Sequence, residues 1–154
     1  MKRSHIALAF GLTLFGVPCA GAVAQDKPAI AIERPWARAS IGTTRPSAAY
    51  MTIVNRRSKP ARLTHVESPV ARRAEVHRTV KRGDIMSMEP AGPIEVPPGK
   101  RVTLAPGSLH IMLMGLKRPL GKGGVFRLTL RFANGRAIEV RVPILGPGAR
   151  GPSE

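Results

Sequence analysis

The sequence is poor in cysteine, in aromatic residues and in acids. Its 154 residues include one cysteine, one tryptophan, one tyrosine and four phenylalanines, and nine Asp and Glu stand against 25 Lys and Arg. So few aromatic side chains offer little surface on which single-stranded nucleic acid could stack. Paired carboxylates, a Ser/His/Asp arrangement and a Gly-rich phosphate loop are also missing from the sequence. The composition therefore predicts a protein that is not an enzyme and does not bind nucleic acid.

The apolar run near the start of the chain is too short to cross a membrane. Residues 6–17 (IALAFGLTLFGV) form a run of 12 residues, whereas a spanning helix needs about 20. Lys2 and Arg3 precede this run, and Ala22-Val23-Ala24 supplies the small-x-small pattern of a cleavage site. We therefore expect residues 1–24 to be a signal peptide that is removed on secretion. The alternatives are an uncleaved anchor and a lipoprotein signal, and we expect no stable membrane insertion.

The only cysteine, Cys19, lies inside this predicted signal peptide. A lipoprotein signal places a small residue such as Gly or Ala before its cysteine, and Pro18 stands there instead. Cleavage after Ala24 would leave a chain with no thiol. Such a chain can neither exchange disulfides nor offer a thiolate to a metal ion.

The formal net charge of +16 favours anionic partners. An acidic protein face and an anionic membrane surface both fit this charge. The basic residues are scattered in pairs along the chain, at 56–57, 72–73, 81–82 and 117–118. The simplest interpretation is a solvated basic surface, which can still steer docking onto an acidic partner.

Short apolar alternations separated by Pro and Gly occupy most of the chain, a pattern typical of an all-β antiparallel sandwich. Asn134-Gly135 predicts a tight hairpin turn between two such segments. We place the domain at residues 25–145, with little helix (one turn is allowed at 116–122) and a disordered Gly/Pro-rich tail at 146–154. The predicted strands are 29–33, 48–55, 61–67, 73–77, 85–88, 94–96, 101–104, 110–114, 125–132 and 137–144.

Imidazole and thioether groups are the candidate metal ligands. Beyond residue 24 the chain has three histidines and five methionines: His65, His77, His110, Met51, Met86, Met88, Met112 and Met114. Without a thiolate, this donor set favours Cu(I) over Zn(II) or any hard ion. His110 and Met112 lie two residues apart in a predicted strand, so their side chains project from one face and can hold one ion. His77 and Met88 would join them if their strand ends meet in the fold.

The remaining soft side chains have simpler interpretations. Methionine commonly fills gaps in protein cores, and Met51 fits that role. Met86 shares a face with Met88, and Met114 with Met112, so whether either assists the site stays open. His65 has no soft neighbour in sequence, and we expect it to be structural or exposed.

The spacing of four of these residues resembles a known family. His77, Met88, His110 and Met112 form an H-x10-M-x21-H-x-M pattern, which is similar to the signature of the periplasmic copper chaperone PCu(A)C family. Trp36-Ala37-Arg38, Ala48-Ala49-Tyr50-Met51 and residues 105–115 (APGSLHIMLMG) fit as well. The resemblance covers residues 30–145. It departs at Arg78, where many members have an acidic residue, and on a strand Arg78 would point away from His77.

The resemblance implies a cupredoxin-like β-sandwich with Greek-key connections that binds one Cu(I) through His77, Met88, His110 and Met112. It also implies delivery of copper to the dinuclear copper site of cytochrome c oxidase, with the oxidase copper subunit and a Sco-type protein as partners. Some members carry a His/Met-rich tail that adds copper sites, but residues 146–154 contain neither residue, so we expect one ion per monomer. Blue-copper electron transfer is excluded because it needs a cysteine ligand. Copper sequestration for tolerance remains the alternative function.

Overall fold

A computed structural model describes residues 28–152. The predicted signal peptide and Cys19 lie outside these residues. The described chain contains ten β-strands: β1 Ile30–Arg38, β2 Ser47–Asn55, β3 Ala61–Glu67, β4 Ala71–Arg82, β5 Ile85–Pro90, β6 Ile94–Val96, β7 Arg101–Leu104, β8 Leu109–Leu116, β9 Val125–Phe132 and β10 Ala137–Leu145. Each predicted strand is present, and the all-β class is confirmed.

The strands form one sheet that closes on itself. The order β4-β8-β2-β1-β10-β9-β3 runs around a barrel, and the pair Val66 and Ala74 joins β3 back to β4. Strand β5 extends the sheet beyond β4, β6 pairs with β3, and β7 pairs with β2. We therefore describe a barrel-like sheet, whereas the sequence predicted a sandwich. The cupredoxin-like Greek-key description stays a prediction.

Three local predictions were wrong, and each error has a physical reason. Strands β1 and β10 pair in parallel, through Ala37 and Ile144, because alternation of apolar residues carries no information on strand direction. Strand β4 extends to Arg82, so His77 lies within the strand and not at its end. Residues 117–124 form a bend and a turn, with no helix, since Pro119 and three glycines disfavour helix there.

The core fills the inside of the barrel with alternate side chains of each strand. Residues such as Ile53, Leu113 and Leu130 are fully buried. Because strand neighbours point to opposite faces, Tyr50 points outward between the core residues Ala49 and Met51, which are both buried. Tyr50 is nevertheless buried, and it stacks on Trp36 at a ring-centroid distance of 4.4 Å. The outer face of β1 and β2 therefore carries a small aromatic cluster that is separate from the core inside the barrel.

The segment after β10 lies against this outer face. Arg38 donates a hydrogen bond from Nε to the carbonyl of Ala149 at 3.0 Å, and residues 150–152 line a pocket with Trp36. The sequence predicted a disordered tail from residue 146. Its Gly/Pro-rich composition has no strand pattern, but its carbonyl groups provide acceptors for an arginine.

Candidate metal centre

Strand register places all four predicted ligands on one face of the sheet. His77 lies directly opposite His110 across the β4–β8 pair. Met88 lies opposite Thr79, two residues from His77, and Met112 lies two residues from His110. Directly opposed residues of antiparallel strands share a face, as do residues two apart on a strand. The adjacency of β5, β4 and β8 therefore brings together residues that lie up to 35 positions apart in sequence.

The two histidines form a buried pair on the outer face. Their ring centroids lie 6.2 Å apart with an interplanar angle of 26°, and His77 and His110 are 6% and 3% exposed. Arg78 pairs with Leu109 and so points to the opposite face, as strand alternation predicts. Its charge is therefore directed away from the histidines.

A backbone carbonyl fixes the orientation of the His110 ring. Nδ1 of His110 lies 3.0 Å from the carbonyl oxygen of Ser108. A carbonyl only accepts, so Nδ1 carries the hydrogen and Nε2 carries the lone pair. Nε2 is buried and has no hydrogen-bond partner. A backbone contact that fixes the tautomer and leaves the other nitrogen free is the usual arrangement of a metal-binding histidine.

His77 has a related but looser arrangement. Its Nδ1 lies 3.4 Å from the carbonyl oxygen of Glu75, which is again the residue two positions earlier on the strand. The same local strand geometry therefore orients both rings.

Two methionines and His110 share one pocket. It has a volume of about 270 Å³, and its lining includes Met88, His110, Met112 and Tyr50 together with residues of the 38–48 segment and Pro147. Met112 is partly buried, whereas Met88 is 57% exposed. His77 does not line this pocket and lies behind it, beside His110. The pocket lining thus combines two methionines with a histidine whose Nε2 has no hydrogen-bond partner.

The other soft side chains lie outside the pocket lining. Met51 is 2% exposed and belongs to the core, so its predicted packing role is confirmed. Met86 is exposed on β5, and Met114 lies on β8 with its Sδ 3.6 Å from an Arg73 nitrogen. The side chain of His65 is 61% exposed, with its Nε2 3.5 Å from Glu67. None of these four lines the pocket.

Tyr50, Arg38 and Pro147 are site residues that the sequence analysis did not assign. Tyr50 lies between Trp36 and His110, and its ring centroid is 6.5 Å from that of His110. The guanidinium of Arg38 lies 5.7 Å from the Tyr50 ring centroid. Burial raises the pKa of the Tyr50 phenol, and the charge of Arg38 opposes this shift in part. Tyr50 lies two residues from Ala48, which pairs with Met112, and this register of β2 and β8 cannot be read from the sequence.

The donors that the structure gathers are soft. Within residues 28–152 there is no group of three or more His, Cys, Asp or Glu side chains that could hold a metal. Two imidazoles and two thioethers instead match a soft monovalent ion.

The part of the chain that the structure describes also has no helix long and apolar enough to cross a membrane.

Comparisons with known proteins identify a family and a relative of this chain. The model of the LpqE-like family, described as "Putative lipoprotein LpqE-like", matches residues 30–144. The protein Lxx21020 of Leifsonia xyli subsp. xyli is 35% identical over 117 residues, which cover 75% of this chain and 69% of that protein.

Two solved structures that hold copper share the fold. The copper-bound PCuAC domain from PmoF2 has a TM-score of 0.66 and 28% identity, and the match covers 78% of this chain and 95% of that one. The Cu(I) form of DR1885 from Deinococcus radiodurans has a TM-score of 0.58 and 31% identity, with 79% and 81% of the two chains covered. The chain therefore belongs to the LpqE-like family and is a PCuAC family protein.

Proposed function

We propose that this protein is a periplasmic Cu(I) chaperone that binds one ion through His77, Met88, His110 and Met112. The observation that carries the proposal is the buried, unpartnered Nε2 of His110, a residue that lines a pocket together with Met88 and Met112. A buried polar nitrogen without a partner costs about 1–3 kcal/mol. A bound soft cation would satisfy that lone pair and remove the cost.

The exposure of the ligands suits transfer as well as binding. Met88 is 57% exposed on β5, whereas both histidines are buried. Because the thioether is a neutral ligand at the surface, an acceptor can displace Met88 first while the histidines still hold the ion. We propose the dinuclear copper site of cytochrome c oxidase as the acceptor, alone or with a Sco-type protein as a further partner.

Copper sequestration for tolerance is the second candidate, and it would use the same site. A strain that lacks the protein separates the two functions. Loss of oxidase activity that added copper restores would support delivery, whereas sensitivity to copper alone would support sequestration.

The binding proposal is tested by anaerobic titration with Cu(I) in competition with a chromophoric chelator. We expect one tightly bound ion, and weaker binding in Met88→Leu and in Met112→Leu. Met86→Leu is the matched control, since Met86 is equally exposed on β5 but does not line the pocket. Tight binding of a second ion, or equal losses in Met86→Leu and Met88→Leu, would contradict the assignment.

The delivery proposal needs a transfer measurement. The Cu(I)-loaded protein is mixed with an apo oxidase copper domain, and the metal is followed by separation of the two proteins. We expect copper to move to the oxidase domain, and retention of all copper on the chaperone would contradict delivery.

A further inference from the structure

The mouth of the metal pocket carries positive charge and no negative charge. Arg38 and Arg45 both contribute to the lining, and no Asp or Glu does. The nearest carboxylate in the strand register is that of Glu75, opposite Met112, and it is 3.3 Å from Arg73. A pocket that collected free cations from solution would be expected to show the opposite sign of charge.

The two arginines of the mouth have no carboxylate partner within residues 28–152. By contrast, five of the glutamates in this part of the chain form ion pairs with arginines elsewhere: Glu33, Glu67, Glu75, Glu89 and Glu139. Arg45 is exposed and makes no side-chain hydrogen bond among the described residues. Arg45 can therefore pair with a group of another molecule. Arg38 donates from Nε to the Ala149 carbonyl, but its two terminal nitrogens make no hydrogen bond among the described residues.

Two exposed apolar side chains line the same pocket as these arginines. Ile41 is 81% exposed and Met88 is 57% exposed, and both line the same pocket. The loop that carries Ile41 is fixed at both ends. Ser40 accepts a hydrogen bond from the backbone N–H of Leu120 at 2.9 Å, and the hydroxyl of Ser47 donates to the carbonyl of Arg38 at 2.7 Å. The fold thus presents an apolar side chain to solvent on an anchored loop.

We propose that this rim, formed by Arg38, Ile41, Arg45 and Met88, is a docking surface for an acidic protein that exchanges copper with the site. The inference rests on the proposed copper function and adds the chemistry of the partner. Carboxylates of the partner would pair with Arg38 and Arg45, and an apolar side chain would cover Ile41. The soft metal ligands of the partner would then face Met88. Binding of Cu(I) adds one positive charge, so the loaded form attracts an acidic partner more strongly than the empty form does.

Transfer kinetics with two synthetic peptides test this surface. One peptide carries methionine and histidine ligands among glutamates, and its isostere has glutamine at each glutamate. The Cu(I)-loaded protein is mixed with each peptide in a stopped-flow instrument over a range of ionic strength. We expect faster transfer to the glutamate peptide, with a rate constant that falls as salt is added, since electrostatic steering raises association rates by about tenfold or more.

Charge reversal at the rim provides the matched comparison. Arg45→Glu should slow transfer to the glutamate peptide by about tenfold and leave the glutamine peptide unaffected. Arg136→Glu is the control, because it makes the same change in net charge on the β9–β10 turn, away from the pocket lining. Equal slowing by both variants, or equal rates for both peptides, would overturn the proposal.

Two further measurements separate the remaining outcomes. If Arg45-dependent binding to phosphatidylglycerol vesicles is found and the glutamate peptide does not compete with it, the occupant is a membrane surface and the proposal fails. The equilibrium affinity of Arg45→Glu for Cu(I) is measured separately, because Arg45 lines the pocket and the slowing of transfer must exceed what a changed affinity explains. Absence of tight Cu(I) binding by the unmodified protein would refute the proposed function, whereas intact binding without Arg45-dependent transfer would refute only the docking surface.

Discussion

The unpartnered Nε2 of His110 predicts that the metal-free protein is less stable than it could be. Replacement of His110 by leucine removes a buried nitrogen whose lack of a partner costs about 1–3 kcal/mol. The same change removes the hydrogen bond from Nδ1 to Ser108, worth about 0.5–1.5 kcal/mol. The Ser108 carbonyl keeps a second donor, the backbone N–H of Thr79 at 3.2 Å. We therefore expect a net gain of about 1 kcal/mol for His110→Leu.

Thermal unfolding in the presence of a copper chelator measures this gain. For a domain of this size, about 1 kcal/mol corresponds to a rise in Tm of about 3–5 °C. Addition of Cu(I) should then stabilise the unmodified protein, by about 2.7 kcal/mol at a free concentration about 100 times Kd. It should not stabilise His110→Leu to the same extent, because a ligand has been lost. His110 is thus expected to lower the stability of the metal-free protein and to be required for full stabilisation by copper.

The control is His65→Leu, since the side chain of His65 is 61% exposed. We expect it to change the stability by less than about 0.5 kcal/mol and to leave copper binding intact. A loss of more than about 1 kcal/mol in metal-free His110→Leu would refute the reasoning. Such a loss would show that Nε2 already has a partner in the metal-free protein.

The remaining predictions concern the ligands and the fold. Met88→Leu should lower the Cu(I) affinity by at least about tenfold in chelator competition, whereas Met86→Leu should leave it unchanged. Arg131 lowers the pKa of Glu67 chiefly by a hydrogen bond, so this ion pair stabilises the fold above the unfolded-state pKa and is lost as the pH falls through the folded-state pKa. In Arg131→Gln the urea midpoint should therefore fall less between neutral and acid pH, and an unchanged pH profile would contradict this. Asn55→Ala should cost about 2–4 kcal/mol in urea unfolding, because its buried amide donates to the carbonyls of Lys59 and Val96, both at 2.9 Å, and a loss below about 1 kcal/mol would contradict that role.

The strands and half of the site could be predicted from local pattern alone. Period-two alternation located all ten strands and placed His110 and Met112 on one face, because both properties depend only on strand geometry. The position of His77 within β4 was missed, since the polar residues from Arg78 onward continue the strand as an exposed hairpin with β5. Apolar alternation therefore marks a strand only as far as that strand buries apolar side chains on one face.

The placement of the four proposed ligands on one face could not be predicted from local pattern. It depends on β4 lying between β5 and β8, and strand order is a property of the whole fold. The family spacing supplied His77 and Met88 in place of that information. The wall formed by Tyr50, Arg38 and Pro147 requires β1, β2 and the segment after β10 to meet, and no spacing in the sequence indicates that contact.

X-ray absorption at the copper edge of the Cu(I)-loaded protein tests the central claim most directly. The account predicts one copper per chain with both nitrogen and sulfur scatterers in its first shell. The sulfur contribution should fall by about half in Met88→Leu and, separately, by about half in Met112→Leu, since each variant removes one of two thioethers. A shell of nitrogen and oxygen alone, or a sulfur contribution that neither substitution changes, would contradict it.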